Sequence, residues 1–303
     1  MADISVNLFG IKFETPVWTA SGTFGFGLEY ENLTDLNKIG AICVKGLSAT
    51  PREGNPPPRI WETPSGMLNA IGLQNPGVDY FVEKIVPQLK NYKVKIVANI
   101  YGTTYEEYEA VAKALKGVEG VHLIEVNISC PNVKKGGLAF GTDPDEAARI
   151  TEIVKKATDK PVIIKLSPNV TDIVKIAKAV ESAGADGISA INTLIGMAID
   201  IDSFRPRIRN VIGGLSGPAI KPVALRMVYQ IAKAVSIPII GIGGISSWED
   251  AVEFIIAGAS SVQVGTANFI DPDIAVKIAD GIKKYLEKKG FSSVEEIKGK
   301  LQI

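Results

Sequence analysis

Short apolar runs alternate with amphipathic stretches from one end of this chain to the other. The runs at Val17–Ser21, Ala41–Gly46, Lys95–Asn99, Leu123–Ile128, Val162–Leu166, Asp186–Ile191, Pro238–Ile242 and Ser261–Gly265 have the length and residue types of buried strands. Between them the period changes. In Thr171–Ser182, Ile173, Ile176, Ala177 and Val180 recur at i, i+3, i+4 and i+7, which places them on one helix face. Pro222–Val235 and Ser247–Ala257 repeat that habit, while Ser182-Ala-Gly184 and Ser246-Ser-Trp-Glu249 supply a stop and a start.

Strand–helix units spread over about 250 residues predict an α/β fold, a (β/α)8 TIM barrel rather than an open doubly wound sheet. Ile4–Phe13, with Asn7 and Gly10 near its turn, predicts an N-terminal β-hairpin that closes the barrel bottom. No Pro/Gly/Ser-rich linker divides residues 1–303, so the expectation is a single domain. The connections Leu47–Asp79, Ser129–Glu146 and Asn192–Pro218 are too long for plain turns. In such a barrel these long loops emerge on the C-terminal face, where active sites sit.

Composition narrows the function classes. Hydrophobic content of 46% suits a chain with a sizeable core, and 33 basic residues balance 33 acidic ones, so no net field recruits nucleic acid or an acidic membrane. The charge-dense Lys283–Lys300 alternates both signs and reads as a solvated helix face. No run approaches the roughly 18 apolar residues of a membrane span, and the start lacks the basic and apolar regions of a signal peptide. Two cysteines, Cys43 and Cys130, can build neither a disulfide framework nor an iron–sulfur cluster, and no metal site is expected. The expectation is a cytoplasmic, reduced, soluble protein.

Within a strand, residues two apart share a face. Lys45 therefore points with Cys43, Asn99 with Val97, Asn127 with Glu125 and Lys165 with Ile163, which gathers two lysines and two asparagines at a polar, cationic mouth. Glu125, below Asn127, is expected to pair with Lys95 or Lys165. Gly241-Ile-Gly-Gly244 and Gly265-Thr266 end the seventh and eighth strands, where glycines let backbone amides approach a phosphate. Gly213-Gly-Leu-Ser-Gly217 adds a further glycine-rich turn, so a phosphate-bearing cofactor is expected; Gly25-Phe-Gly27 lacks the third glycine of a dinucleotide fingerprint.

Asn127-Ile-Ser-Cys-Pro-Asn132 sets Cys130 between two amides just past a strand end. A thiolate can take a proton from carbon, and Asn69, Asn75, Asn127, Asn132 and Asn192 could hold a small ring with amide-like edges. His122, the sole histidine, opens a strand far from the rim and reads as structural, which leaves Cys130 as the leading base. Cys43 reads as core filling, and Trp18, Trp61 and Trp248 as packing.

These residues bring a family into view. Asn127-Ile-Ser-Cys-Pro-Asn132, Asn69-Ala-Ile-Gly-Leu-Gln-Asn-Pro-Gly77, Leu215-Ser-Gly-Pro-Ala219 and Gly241-Ile-Gly-Gly244 resemble class 1 dihydroorotate dehydrogenases, in order over nearly the whole chain. Ser21-Gly-Thr-Phe-Gly-Phe-Gly27 and Met67-Leu-Asn-Ala-Ile-Gly-Leu-Gln-Asn resemble the NAD-linked class 1B branch. The resemblance implies oxidation of dihydroorotate to orotate in pyrimidine biosynthesis, with Cys130 as the base and FMN as hydride acceptor. It implies that FMN is held by Ser21, Lys45, Gly46, Asn99, Asn127, Lys165, Ile191, Gly217, Gly243, Gly244, Gly265 and Thr266. Substrate would be held by Lys45, Asn69, Ala70, Ile71, Gly72, Leu73, Asn127, Asn132, Asn192 and Thr193.

A free cysteine titrates near roughly 8.5, so activity is expected to rise with pH toward that range unless nearby lysines favour the thiolate. Since the chain shows no dinucleotide fold and too few thiols for a cluster, electrons must leave through another protein. In the class 1B family that partner carries FAD and a [2Fe-2S] cluster, and the resemblance implies a heterotetramer built on a catalytic homodimer. Two rival readings remain: a related flavin barrel acting on uracil or tRNA uridines, and a non-redox sugar-phosphate isomerase or aldolase. Balanced charge argues against tRNA, and Lys45 suits a carboxylate that uracil lacks.

Overall fold

The computed structural model describes residues 2–129 and 140–303. Cys130 and Asn132 lie outside the described residues. Eight parallel strands close into a barrel in sequence order: Val17–Thr19, Ala41–Cys43, Lys95–Ile100, Leu123–Asn127, Val162–Leu166, Gly187–Ala190, Ile239–Ile242 and Ser261–Val264. Helices Tyr105–Ala114, Pro144–Ala157, Ile173–Ser182, Lys221–Ala232, Trp248–Ala257 and Ile274–Lys289 follow strands three to eight. Strands covered on both faces have no solvent side to mark with polar residues, which is why they read as continuous apolar runs.

The strands stop earlier than the sequence suggests. Ser21, Lys45, Gly46, Ile191 and Gly265 fall beyond the last paired residue of their strands and so belong to the rim. Helix starts follow side-chain chemistry: Asp172 accepts from the Val174 and Lys175 amides, and Ser247 forms a capping box with Asp250. The C-terminal helix ends at Lys289, where Gly290 takes a left-handed φ of 78°. Lys283–Lys300 is therefore not one helix face; a short turn at Val294–Glu296 follows.

The hairpin pairs Val6–Leu8 with Ile11–Phe13 through Phe9 and Gly10, whose φ of 59° and 75° fit a two-residue turn of the primed kind. The Phe9 ring lies so close to Gly187, the first residue of the sixth strand, that a Cβ there would stand 2.8 Å from it. Phe13 packs on Trp18 at 4.7 Å between ring centroids. Both contacts put the hairpin under the strand starts.

Two of the long connections are not structureless. Ile60–Thr63 and Gly66–Asn69 from the first pair with Ile212–Ser216 and Leu194–Met197 from the third in a four-stranded antiparallel sheet. That sheet joins the loops after the second and sixth strands. No helix among the described residues is long and apolar enough to cross a membrane.

Candidate active site

Parallel register decides which side chains meet inside the barrel. Cys43 lies level with Val97, Asn99 with Glu125, Asn127 and Ser189 with Lys165, and Ile242 with Gln263. The heart of the barrel is therefore polar. Glu125, with no exposed surface, accepts from Asn99 Nδ2 at 2.7 Å, Gln263 Nε2 at 2.9 Å, Cys43 Sγ at 3.2 Å and Lys165 Nζ at 3.4 Å. Of the two partners expected for Glu125, the structure selects Lys165. Burial pushes the Glu125 carboxyl up, but Lys165 and the surrounding donors outweigh it and hold the group below the ordinary carboxylate range. Burial, reinforced by Glu125, pushes the Cys43 thiol well above its usual value, so Cys43 is a neutral donor.

Two acceptors in this network are orphaned among the described residues, Gln263 Oε1 and Asn99 Oδ1, and the second stands at the rim. Asn99 is 1% exposed, its Nδ2 is committed to Glu125, and its Oδ1 has no partner among the described residues. A buried carbonyl oxygen without a donor costs about 1–3 kcal/mol, so the site is built to receive one. The Oδ1 lies 3.2 Å from where a Gly46 Cβ would stand, and glycine keeps that approach open.

The glycine turns form a second concavity. Gly217, Gly243 and Gly244 have φ of 93°, 130° and 73°. A Cβ at Gly243 would stand 2.6 Å from Ala224 Cβ, and one at Gly244 would stand 2.8 Å from the Lys221 amide and 2.9 Å from the Gly217 carbonyl. The amides of Gly243, Gly244 and Gly265 make no backbone hydrogen bond among the described residues. Thr266 Oγ1 donates to Ser216 Oγ at 2.8 Å, tying this turn to the antiparallel sheet. The Lys221 ammonium stands beside the turn but is held by Asp250 at 2.7 Å and Glu253 at 3.0 Å, which raises its pKa and fastens two helices together. An anion here would be met by backbone amides at a helix start.

Further out, Asn192 Nδ2 donates to Asn127 Oδ1 at 3.2 Å, and the Asn192 Oδ1 accepts from the Thr193 amide at 2.8 Å. A Cβ at Gly214 would collide with the Thr193 hydroxyl. Asn69 Nδ2 reaches the Gly214 carbonyl at 3.4 Å. Lys45 makes no ion pair among the described residues; its Nζ lies 5.9 Å from the centroid of the Phe26 ring. The Ser21 backbone lies beside Cys43, while Gly265 faces Ala20 across the first and eighth strand ends. Ile191 packs under Gly243.

The segment Ala70–Leu73 is shaped from outside. Asn55 donates to the Ala70 carbonyl at 2.9 Å through Nδ2 and to the Ile71 carbonyl at 2.9 Å through its amide. Gly72 and Leu73 both hold positive φ, at 76° and 57°. Asn75 is different from the other loop asparagines. It is 4% exposed, donates to the Leu73 carbonyl at 2.8 Å and Ser48 Oγ at 2.9 Å, and accepts from the Gly77 amide at 2.9 Å. Its amide is consumed in holding the loop. Gln263, Asn55 and Asn169, which donates to the Thr193 carbonyl at 3.0 Å, were not singled out from the sequence. A polar residue within the apolar Ser261–Val264 run was the signal available for Gln263.

His122 stands at the other end of the barrel. Its Nδ1 accepts from the Ile96 amide at 3.1 Å, and desolvation, with Lys95 and Lys160, lowers its pKa to about 4. It is a neutral structural acceptor. No group of three His, Cys, Asp or Glu among the described residues could hold a metal ion.

A ligand that joins a flat ring to a phosphate suits these features: an orphaned acceptor and a cation for a ring with N–H and carbonyl edges, and a glycine-lined amide cradle for the phosphate. The family model described as Dihydroorotate dehydrogenase matches residues 3–286. A protein of Geotalea daltonii is 58% identical over 301 residues, covering 99% of each chain, and one of Thermoanaerobacter pseudethanolicus is 56% identical over 301 residues with the same coverage. One of Bacteroides thetaiotaomicron is 54% identical over 303 residues, all of both chains. Each of the three is named dihydroorotate dehydrogenase B (NAD(+)), catalytic subunit.

Proposed function

The chain belongs to the dihydroorotate dehydrogenase family and is an oxidoreductase, and from that premise we propose that it oxidises dihydroorotate to orotate with FMN as its resident cofactor. What carries the reading is one convergence: Asn99, Asn127, Lys165 and Asn192 meet at the strand ends beside the Gly217, Gly243–Gly244 and Gly265 turns.

In this reading Cys130 removes the proton from C5 of dihydroorotate. FMN, when bound, supplies the acceptor for the hydride that leaves C6. Lys45 and the amides of Asn69, Asn127, Asn132 and Asn192, with Ala70 through Leu73 and Thr193, hold the carboxylate and the ring edges. Orientation of this kind can supply several kcal/mol of the barrier. Ser21, Lys45, Gly46, Asn99, Asn127, Lys165 and Ile191 line the ring side of the cofactor, and Gly217, Gly243, Gly244, Gly265 and Thr266 its phosphate. Lys165 offsets negative charge that develops as electrons arrive. The whole chain acts as one domain.

The name catalytic subunit, borne by the relatives, supports a second protein. We place FAD and a [2Fe-2S] cluster in that partner, in a cytoplasmic heterotetramer with a homodimeric catalytic core and NAD as final acceptor. Purified alone, the chain is expected to be yellow, to reduce an artificial dye with dihydroorotate but not with dihydrouracil, and to leave NAD unreduced. A colourless protein, or a preference for dihydrouracil, refutes the substrate and cofactor reading. Robust NAD reduction by the lone chain refutes the partner.

A further inference from the structure

Glu125 has no part in the steps above, yet it gathers Cys43, Asn99, Lys165 and Gln263 from four other strands around one carboxylate. A buried ion pair gives little net stability compared with apolar residues of similar volume, and apolar layers ordinarily fill a barrel of this kind. Stability alone therefore does not account for it. Two details point upward to the rim. Lys165, whose side chain is 7% exposed, has Glu125 as its one ion-pair partner among the described residues. Asn99 commits its donor to Glu125, so its acceptor is the atom presented to a ligand.

We propose that Glu125 is a positioning residue for the flavin site: it fixes the Lys165 ammonium and the Asn99 acceptor, and it tempers the pull of Lys165 on electrons. This rests on the FMN reading given above. Reduction brings negative charge toward the mouth. A cation in a dry interior favours that charge, and a carboxylate beneath it subtracts from the effect. The pair is closed to water, so solvent does little to screen it. Lys165 is the only cation bonded to the carboxylate among the described residues, and the Cys43 thiol beside it adds no charge of its own.

The test is the midpoint potential of FMN bound to the purified chain, measured for the wild type, Glu125→Gln, Lys165→Gln and the double variant. Removing the carboxylate is expected to raise the ratio of reduced to oxidised flavin at a fixed poise about tenfold, equivalent to about 30 mV for a two-electron couple. Lys165→Gln is expected to lower the ratio by a similar factor. The double variant, which removes both charges and leaves no buried ion uncompensated, is expected to return close to the wild type. If Glu125→Gln does not fold, the double variant decides: a potential equal to that of Lys165→Gln overturns the proposal. So does a flavin-loaded Glu125→Gln protein with the wild-type potential. A wild-type chain that takes up no FMN refutes the cofactor reading itself, whereas loaded variants without shifts refute only the role of Glu125.

Discussion

Asn99 donates its Nδ2 to Glu125 at 2.7 Å, and its Oδ1 is thereby left buried beside Gly46 without a partner among the described residues. The two residues sit level on adjacent strands, so the barrel register itself fixes which end of the amide is offered. Asn99→Leu removes the offered acceptor and one donor to the carboxylate. FMN affinity is expected to fall about 5- to 150-fold, the equivalent of one buried hydrogen bond, as read by quenching of flavin fluorescence. Unchanged affinity would remove Asn99 from the site.

Gly244→Ala tests the amide cradle. The added Cβ would meet the Lys221 amide and the Gly217 carbonyl at a backbone φ of 73°, and neither backbone group can swing aside. Strain of more than about 1 kcal/mol is expected from the backbone alone, and FMN uptake should drop at least tenfold. A variant that loads FMN like the wild type would place the phosphate elsewhere.

His122 gives the fold a pH dependence. Its pKa is lowered to about 4 in the folded chain, chiefly by desolvation and then by Lys95 and Lys160, from an ordinary value near 6.5. Between these values the unfolded chain binds the proton and the folded chain does not, so stability rises with pH. The contribution is complete above about pH 6.5 and is lost as the pH falls toward 4. Because the ring is partly open to water, about 1 kcal/mol is expected rather than the full value of the shift. Urea unfolding at pH 7 and pH 4.5 should show that slope in the wild type and a shallower one in His122→Gln. Parallel slopes would assign the acid sensitivity to carboxylates.

Asn75→Ala should loosen the loop between the second and third strands. The substitution strands the Gly77 and Ser48 amides, at about 1–3 kcal/mol for each buried group left unpaired. We expect a lower melting temperature together with a higher KM for dihydroorotate, with kcat less affected. A lower melting temperature at unchanged KM would confine Asn75 to stability.

The barrel was legible because its strands are covered on both faces and most helices between them are opened or closed by a capping residue or glycine, as at Ser182-Ala-Gly184. The rim residues Lys45, Asn99, Asn127 and Lys165 were legible from the two-residue strand period alone. The antiparallel sheet over the rim was not. Asn69 pairs with Gly214 across 145 positions, and no local pattern encodes that partnership. Asn75 and Asn192 are the same letter in similar loops, and only burial separates the clamp from the rim amide. Gln263 is one of two polar residues in a four-residue strand, too short for its face to be read before its partner Glu125 is known.

The most direct test is single-turnover reduction of the FMN-loaded chain by dihydroorotate without oxygen, comparing wild type with Cys130→Ser. The wild-type flavin is expected to bleach rapidly. Cys130→Ser is expected to keep its flavin and bind orotate, yet to bleach at least about 100-fold more slowly, the scale of a lost general base. Equal bleaching rates in the two proteins would contradict the account of Cys130 as the base, and a wild-type flavin that dihydroorotate does not bleach would contradict the account as a whole.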